Sequence, residues 1–90
     1  MHLKLAAVAL AASMAMPAHA VTEVQWWHSM TAVNGEWVND LAREFNAKQS
    51  EYKIVPTFKG TYDESMTAAV AAFRAGNAPN ILQVFEVGTA

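Results

Sequence analysis

Apolar and polar positions change their spacing along the chain, and each change marks an element. Leu5 to Met16 is apolar apart from Ser13, and Pro17 closes the run because no helix interior tolerates it. From Thr22 to His28 the residues alternate. Val24 and Trp26 share one face and Glu23 and Gln25 the other, which is a strand. The pair Trp26-Trp27 makes the end of that strand apolar on both faces, as in a buried strand. Between Thr31 and Gln49 the spacing becomes helical. Val38, Leu41, Ala42 and Phe45 form one stripe, Trp37 widens it, and Glu36, Asp40, Arg43, Glu44 and Lys48 mostly take the opposite side. Asn34-Gly35 leaves the start of this helix open between a cap and a turn just inside it.

Tyr52 to Phe58 reads as a second strand. Pro56 lacks a ladder donor, so this strand belongs at a sheet edge or loses pairing at its end. Lys59-Gly60 is a turn. Thr61 stands three residues before Glu64, the capping-box spacing. Asp63 and Glu64 place negative charge at the positive end of the helix dipole. Met66, Val70 and Phe73 form the stripe of this second helix, Gly76-Asn77 ends it, and Pro79 prevents its resumption. Ile81 to Phe85 is a third strand, apolar except at Gln83.

The order is βαβαβ. Helical links of this length make the strands parallel, joined by right-handed crossovers. The predicted class is α/β. The chain stops straight after a strand, so residues 21–90 are expected to be an incomplete lobe of a longer protein.

The first twenty residues read differently. Met1 to Lys4 is a short n-region with one lysine, the apolar run follows, and Ala18-His19-Ala20 is an A-x-A cleavage site. The run is shorter than the roughly 20 residues a spanning helix needs. Residues 1–20 are therefore expected to be a secretory signal cut between Ala20 and Val21, giving an exported, periplasmic protein. Loss of Lys4 with that segment leaves five basic residues against eight acidic, a net charge of −3 with histidines neutral. No basic stripe suggests a nucleic-acid partner. There are no cysteines, which excludes a disulfide scaffold, a thiolate metal site, a cysteine nucleophile and a lipid anchor on an N-terminal cysteine.

In open parallel sheets, ligands bind beyond the carboxyl ends of the strands. His28 and Ser29 end the first strand, Tyr62 follows the second, and Glu86 ends the third. A carboxylate such as Glu86 accepts from sugar or polyol hydroxyls and repels a phosphate. Tyr62 offers a flat apolar face and one hydroxyl. Trp26 and Trp27 could stack on a sugar, though packing is the simpler role for at least one of them. His28 is more often a packed or hydrogen-bonded structural histidine than a ligand, and Ser29 as readily caps a helix as touches a ligand. The chain carries no G-x-S-x-G elbow, no phosphate-loop lysine motif and no H-E-x-x-H. A glycosidase would need a second carboxylate facing Glu86. No enzyme, cofactor or metal is implied.

Three segments carry a family resemblance: Trp27-His28-Ser29-Met30, then the run from Tyr52 to Gly60, then the run from Ala71 to Ala90. They are similar to the N-terminal part of the periplasmic solute-binding proteins of ABC transporters related to maltose-binding protein. Within that family the first two segments point to the members that bind sn-glycerol-3-phosphate. The resemblance implies two α/β lobes closing on a ligand by hinge motion. It implies a monomer that serves an inner-membrane permease and ATPase and does no covalent chemistry. It implies ligand contacts at Tyr62 and Glu86, with His28, Ser29 and Trp27 along the cleft edge. Glycerol-3-phosphate or a glycerophosphodiester is the implied ligand. An unphosphorylated sugar, or a fragment of a secreted α/β hydrolase, are the alternatives.

Overall fold

A computed structural model of the chain describes residues 20–86. The signal segment, its cleavage site but for Ala20 and Val21, and the last four residues lie outside the described part. The elements are β1 (Thr22–His28), α1 (Ala32–Lys48), β2 (Tyr52–Phe58), α2 (Tyr62–Arg74) and β3 (Ile81–Leu82). The three strands form one parallel sheet in the order β2-β1-β3. The α/β class and the βαβαβ order are as the sequence predicts. With β1 central, the two crossovers run in opposite directions, and right-handed connections put α1 and α2 on opposite faces.

β1 and β2 pair along their whole length, from Thr22↔Tyr52 to His28↔Phe58. In a parallel pair, alternate residues of a strand turn both backbone groups toward the same neighbour. The N–H and C=O of Ile54 both turn outward, to the side-chain amide of Asn46 on α1, at 2.8 and 2.9 Å. Pro56 has the same parity as Ile54, so its missing N–H faces outward as well. β2 is thus an edge strand that tolerates proline without loss to the ladder.

The start of α2 is a complete capping box. The Thr61 hydroxyl accepts from Glu64 N at 3.1 Å, and Glu64 Oε1 accepts from Thr61 N at 2.9 Å. Its end is a Schellman motif: Gly76 has φ +79°, its N–H donates to Phe73 O, and Asn77 N–H donates to Ala72 O. The start of α1 is different. Thr31 makes no side-chain cap bond, and Asn34 and Gly35 both donate to Thr31 O. Gly35 therefore lies inside the first turn. A Cβ there would stand 3.1 Å from Met30 O, so the glycine admits the chain that leaves β1.

Two expectations are corrected. The third strand is Ile81–Leu82, not Ile81 to Phe85. Gln83 N still donates to Trp27 O at 2.9 Å, but the next β1 donor, Ser29 N, is taken by Gln83 Oε1 at 2.9 Å. A side chain replaces the main-chain acceptor, and the main chain leaves the sheet. The second correction concerns burial. The core among the described residues is Val38, Ala42 and Ala69 with two polar members, His28 and Ser65. Of the predicted α1 stripe, Trp37, Leu41 and Phe45 are exposed, and on α2 Val70 and Phe73 are exposed, Phe73 by 75%. The stripes exist, but no described element lies across their outer halves.

Candidate functional site

The carboxyl edge of the sheet gathers three short segments. One leaves β1 at His28-Ser29, one leaves β2 at Lys59, and one leaves β3 at Gln83. Parallel pairing puts all three at the same edge. Lys59 N donates to His28 O at 2.9 Å, which carries the β1–β2 ladder one residue beyond the strand end.

Tyr62, the first residue of α2, stacks on Phe85 with ring centroids 5.5 Å apart and planes at 24°. The stack joins the segments after β2 and after β3. Glu86 follows Phe85 directly and is exposed. Glu86, expected to end the third strand, lies four residues past β3 and next in the chain to the ring that stacks on Tyr62. Trp27 is half-buried and carries Lys59 Nζ over its ring, 4.0 Å from the centroid. Such a cation–π contact contributes about 0.5–1 kcal/mol at an exposed site.

His28 takes another position. It is 3% exposed, packed beside Trp26 and Phe58 with ring centroids 6.1 Å away in each case. Its Nδ1 accepts from Met30 N at 3.2 Å, which assigns the proton of the neutral ring to Nε2. Burial holds its pKa below the ordinary value of 6.5, so the ring is neutral at pH 7. Ser29 gives its N–H to Gln83 and keeps a buried hydroxyl with no hydrogen-bond partner among the described residues. An unpaired buried hydroxyl costs on the order of 1–3 kcal/mol unless a water or ligand meets it. On α2, Ser65 Oγ is buried and unpartnered in the same sense.

Three contributors to this edge were not among the sequence candidates. Phe85 is visible only as an apolar strand residue, Lys59 only as a turn residue, and Gln83 only as the polar break in an apolar run. The break at Gln83 was the one signal present.

Chemically the edge offers a carboxylate, a phenol on an aromatic platform, and a cation parked on an indole. That set suits a polyhydroxylated ligand, whose hydroxyls donate to carboxylate oxygen and whose carbon skeleton lies on aromatic faces. Among the described residues no group of three His, Asp or Glu side chains is placed to hold a metal ion. No described helix is long and apolar enough to cross a membrane.

A parallel βαβαβ sheet with such groups at its carboxyl edge has the form of part of one lobe of a periplasmic binding protein. No family model matches the chain. It is 51% identical, over all 90 residues, to the sn-glycerol-3-phosphate-binding periplasmic protein UgpB of Escherichia coli (strain K12), of which it covers 20%. It is 51% identical over 80 residues to the protein of the same name in Rhizobium meliloti (strain 1021), covering 89% of this chain and 19% of that one. Over 81 residues it is 53% identical to the UgpB of Brucella abortus (strain 2308), covering 90% of this chain and 19% of that one. The chain thus spans about a fifth of the length of the curated relatives it matches and resembles their N-terminal part.

Proposed function

We propose that this chain is the N-terminal part of the substrate-binding component of an ABC importer, taking sn-glycerol-3-phosphate or a glycerophosphodiester in the periplasm. The observation that carries the reading is identity of 51% along the whole chain to a protein named for that ligand. The carboxyl edge supports it independently. Glu86 would accept from the glycerol hydroxyls, and Tyr62, braced by Phe85, would lie against the glycerol carbons. Trp27 and Ser29 would border the cleft, and His28 would hold the edge from within. A lobe of this size covers one side of a ligand, and the phosphate would be held mainly by residues beyond this chain. The protein would act without catalysis, as a monomer, and deliver its ligand to an inner-membrane permease and ATPase. Residues 1–20 would direct export and be removed between Ala20 and Val21.

The test is an exchange protein: the E. coli relative with its matching N-terminal fifth replaced by this chain. Purified free of solute, it is titrated in a calorimeter with sn-glycerol-3-phosphate and with maltose. Heat with the phosphate ester alone, lost on Glu86→Ala, is the expected result. Heat with maltose alone would move the chain to the sugar-binding branch, and silence with both would remove the transport reading. The mass of the exported protein reports the cleavage site: a chain beginning at Val21 is expected.

A further inference from the structure

Side-chain amides finish what the backbone of this sheet leaves open. Asn46 serves the outer edge of β2 through Ile54. Asn80 meets β1 where β3 begins: its N–H donates to Gln25 O at 3.1 Å, and its Oδ1 accepts from Gln25 N at 2.7 Å. Gln83 does the same where β3 ends, through Trp27 O and Ser29 N. The two-residue strand is clamped at each end by an amide residue that makes one main-chain and one side-chain bond to β1.

The two clamps differ in the direction of the chain beside them. Asn80 stands where the chain arrives. Gln83 stands where it departs toward the candidate site. In the register Trp26↔Ile81 and Trp27↔Leu82, the ladder step after Gln83 N→Trp27 O would join Ser29 N to the main-chain carbonyl of Gln83. That step would hold the chain straight and carry Val84 and Phe85 along β1. The side-chain carbonyl takes the donor instead.

We propose that Gln83 is a positioning residue for the candidate site. By accepting Ser29 N–H through its side chain it satisfies β1 and frees its own backbone to turn. The turn carries residues 84–86 off the sheet and lays Phe85 on Tyr62, with Glu86 next in the chain. The same bond fixes Ser29, so one amide holds two of the three segments at the edge. The effect on ligand affinity rests on the reading that Tyr62 and Glu86 contact the ligand. The positioning itself does not depend on it.

The experiment uses the exchange protein. Gln83→Met keeps the length of the side chain and removes the acceptor. Gln83→Glu keeps an acceptor oxygen at the same reach. Asn80→Ala weakens the other clamp and serves as the control for mere loosening of β3. Three quantities are read: hydrogen exchange at the Ser29 amide, the nuclear Overhauser contact between the Tyr62 and Phe85 rings, and affinity for sn-glycerol-3-phosphate. Gln83→Met should speed Ser29 exchange at least about tenfold, abolish the ring contact and weaken binding about tenfold. Gln83→Glu should restore all three, and Asn80→Ala should leave the ring contact in place. If Gln83→Met folds poorly, Gln83→Asn, too short to reach Ser29, should give the same losses. A ring contact that survives in a variant whose Ser29 amide has lost protection would overturn the proposal. So would an Asn80→Ala variant that loses the ring contact as fully. If the unsubstituted exchange protein binds no phosphate ester, the functional reading fails, while the exchange rate and ring contact still decide the role of Gln83.

Discussion

Two turns deliver the candidate site, and they are held by opposite means. The turn after β2 is built locally. Gly60 adopts φ +93°, Thr61 and Glu64 exchange their two cap bonds, and the acidic residues of the first turn of α2 meet the helix dipole. The turn after β1 has none of these. Thr31 makes no side-chain cap bond, the first turn of α1 has no acidic residue, and Ala32 sits at φ +50°, where a side chain is strained. It is held by one long-range bond and two short contacts of other kinds. His28 Nδ1 accepts from Met30 N, Gln83 accepts from Ser29 N, and the Met30 carbonyl rests where Gly35 has no side chain. The first turn can form before the sheet exists. The second also draws on the segment after β3, through Gln83.

The largest test of that contrast is Gly60→Ala. A Cβ there would stand 2.7 Å from Glu64 Oε1, and the positive φ strains it wherever the carboxylate goes. Strain of about 1–2 kcal/mol and loss of about 1 kcal/mol of capping give a cost of about 2–3 kcal/mol. The expected outcome is a loss of protection of about a hundredfold at the first amides of α2, measured by hydrogen exchange in the exchange protein. Amides of β1 should keep theirs. If β1 loosens equally, the turn is not local.

The hold on the turn after β1 should break at His28. His28→Phe keeps an aromatic ring among Trp26 and Phe58 but leaves the part-buried Met30 N–H without its acceptor. The expected cost is about 2 kcal/mol, read as faster exchange at Met30. The histidine also makes this turn sensitive to acid. Its folded pKa lies below its ordinary 6.5, because burial disfavours the charged ring. The unfolded chain therefore binds the proton more readily. The stability is complete above pH 6.5 and is lost as pH falls through the folded pKa. Protonated Nδ1 would also face the Met30 N–H as donor against donor. Wild-type protection at Met30 should decline below pH 6.5, and His28→Phe should flatten that decline. A matching decline in the variant would exclude His28 as its source.

Legibility in the sequence divides along the same line. Both ends of α2 were legible, because Thr61 with Glu64 and Gly76 with Asn77 state their geometry within a few residues. Pro56 left β2 either at a sheet edge or unpaired at its end, and the full-length pairing with β1 decides for the edge. The length of β3 was not, because it depends on a bond between residues 54 apart, Ser29 and Gln83. Periodicity told which residues share a helix face but not what covers it, so Trp37 and Phe73 joined stripes whose outer halves are exposed. Tyr62 could be chosen because strand ends in a parallel sheet converge, whereas Glu86, read as a strand end, lies four residues past the end of β3. Phe85 and Lys59 could not, since their parts come from where side chains lie and not from where the chain turns.

The smallest expected effect is the sharpest comparison, because it makes one substitution at two equivalent positions. Thr31 and Thr61 are both N-caps with extended backbone, and only the Thr61 side chain accepts a hydrogen bond from its helix. Thr61→Ala should cost about 1 kcal/mol, a loss of about fivefold in protection at Glu64 and Ser65. The Glu64 carboxylate reinforces that box, and the Thr61 backbone bond holds its pKa below the usual carboxylate range. Its contribution is therefore present above the unfolded pKa and lost as pH falls through the folded one. In acid, wild type and Thr61→Ala should both lose that contribution, because the alanine variant keeps the Thr61 backbone N–H. Thr31→Ala removes a hydroxyl that caps nothing, so it should change protection along α1 by less than about twofold at any pH. Equal losses at the two threonines would mean that the start of α1 is also held by its own cap, and that the contacts at His28, Gln83 and Gly35 are not what fixes the turn after β1.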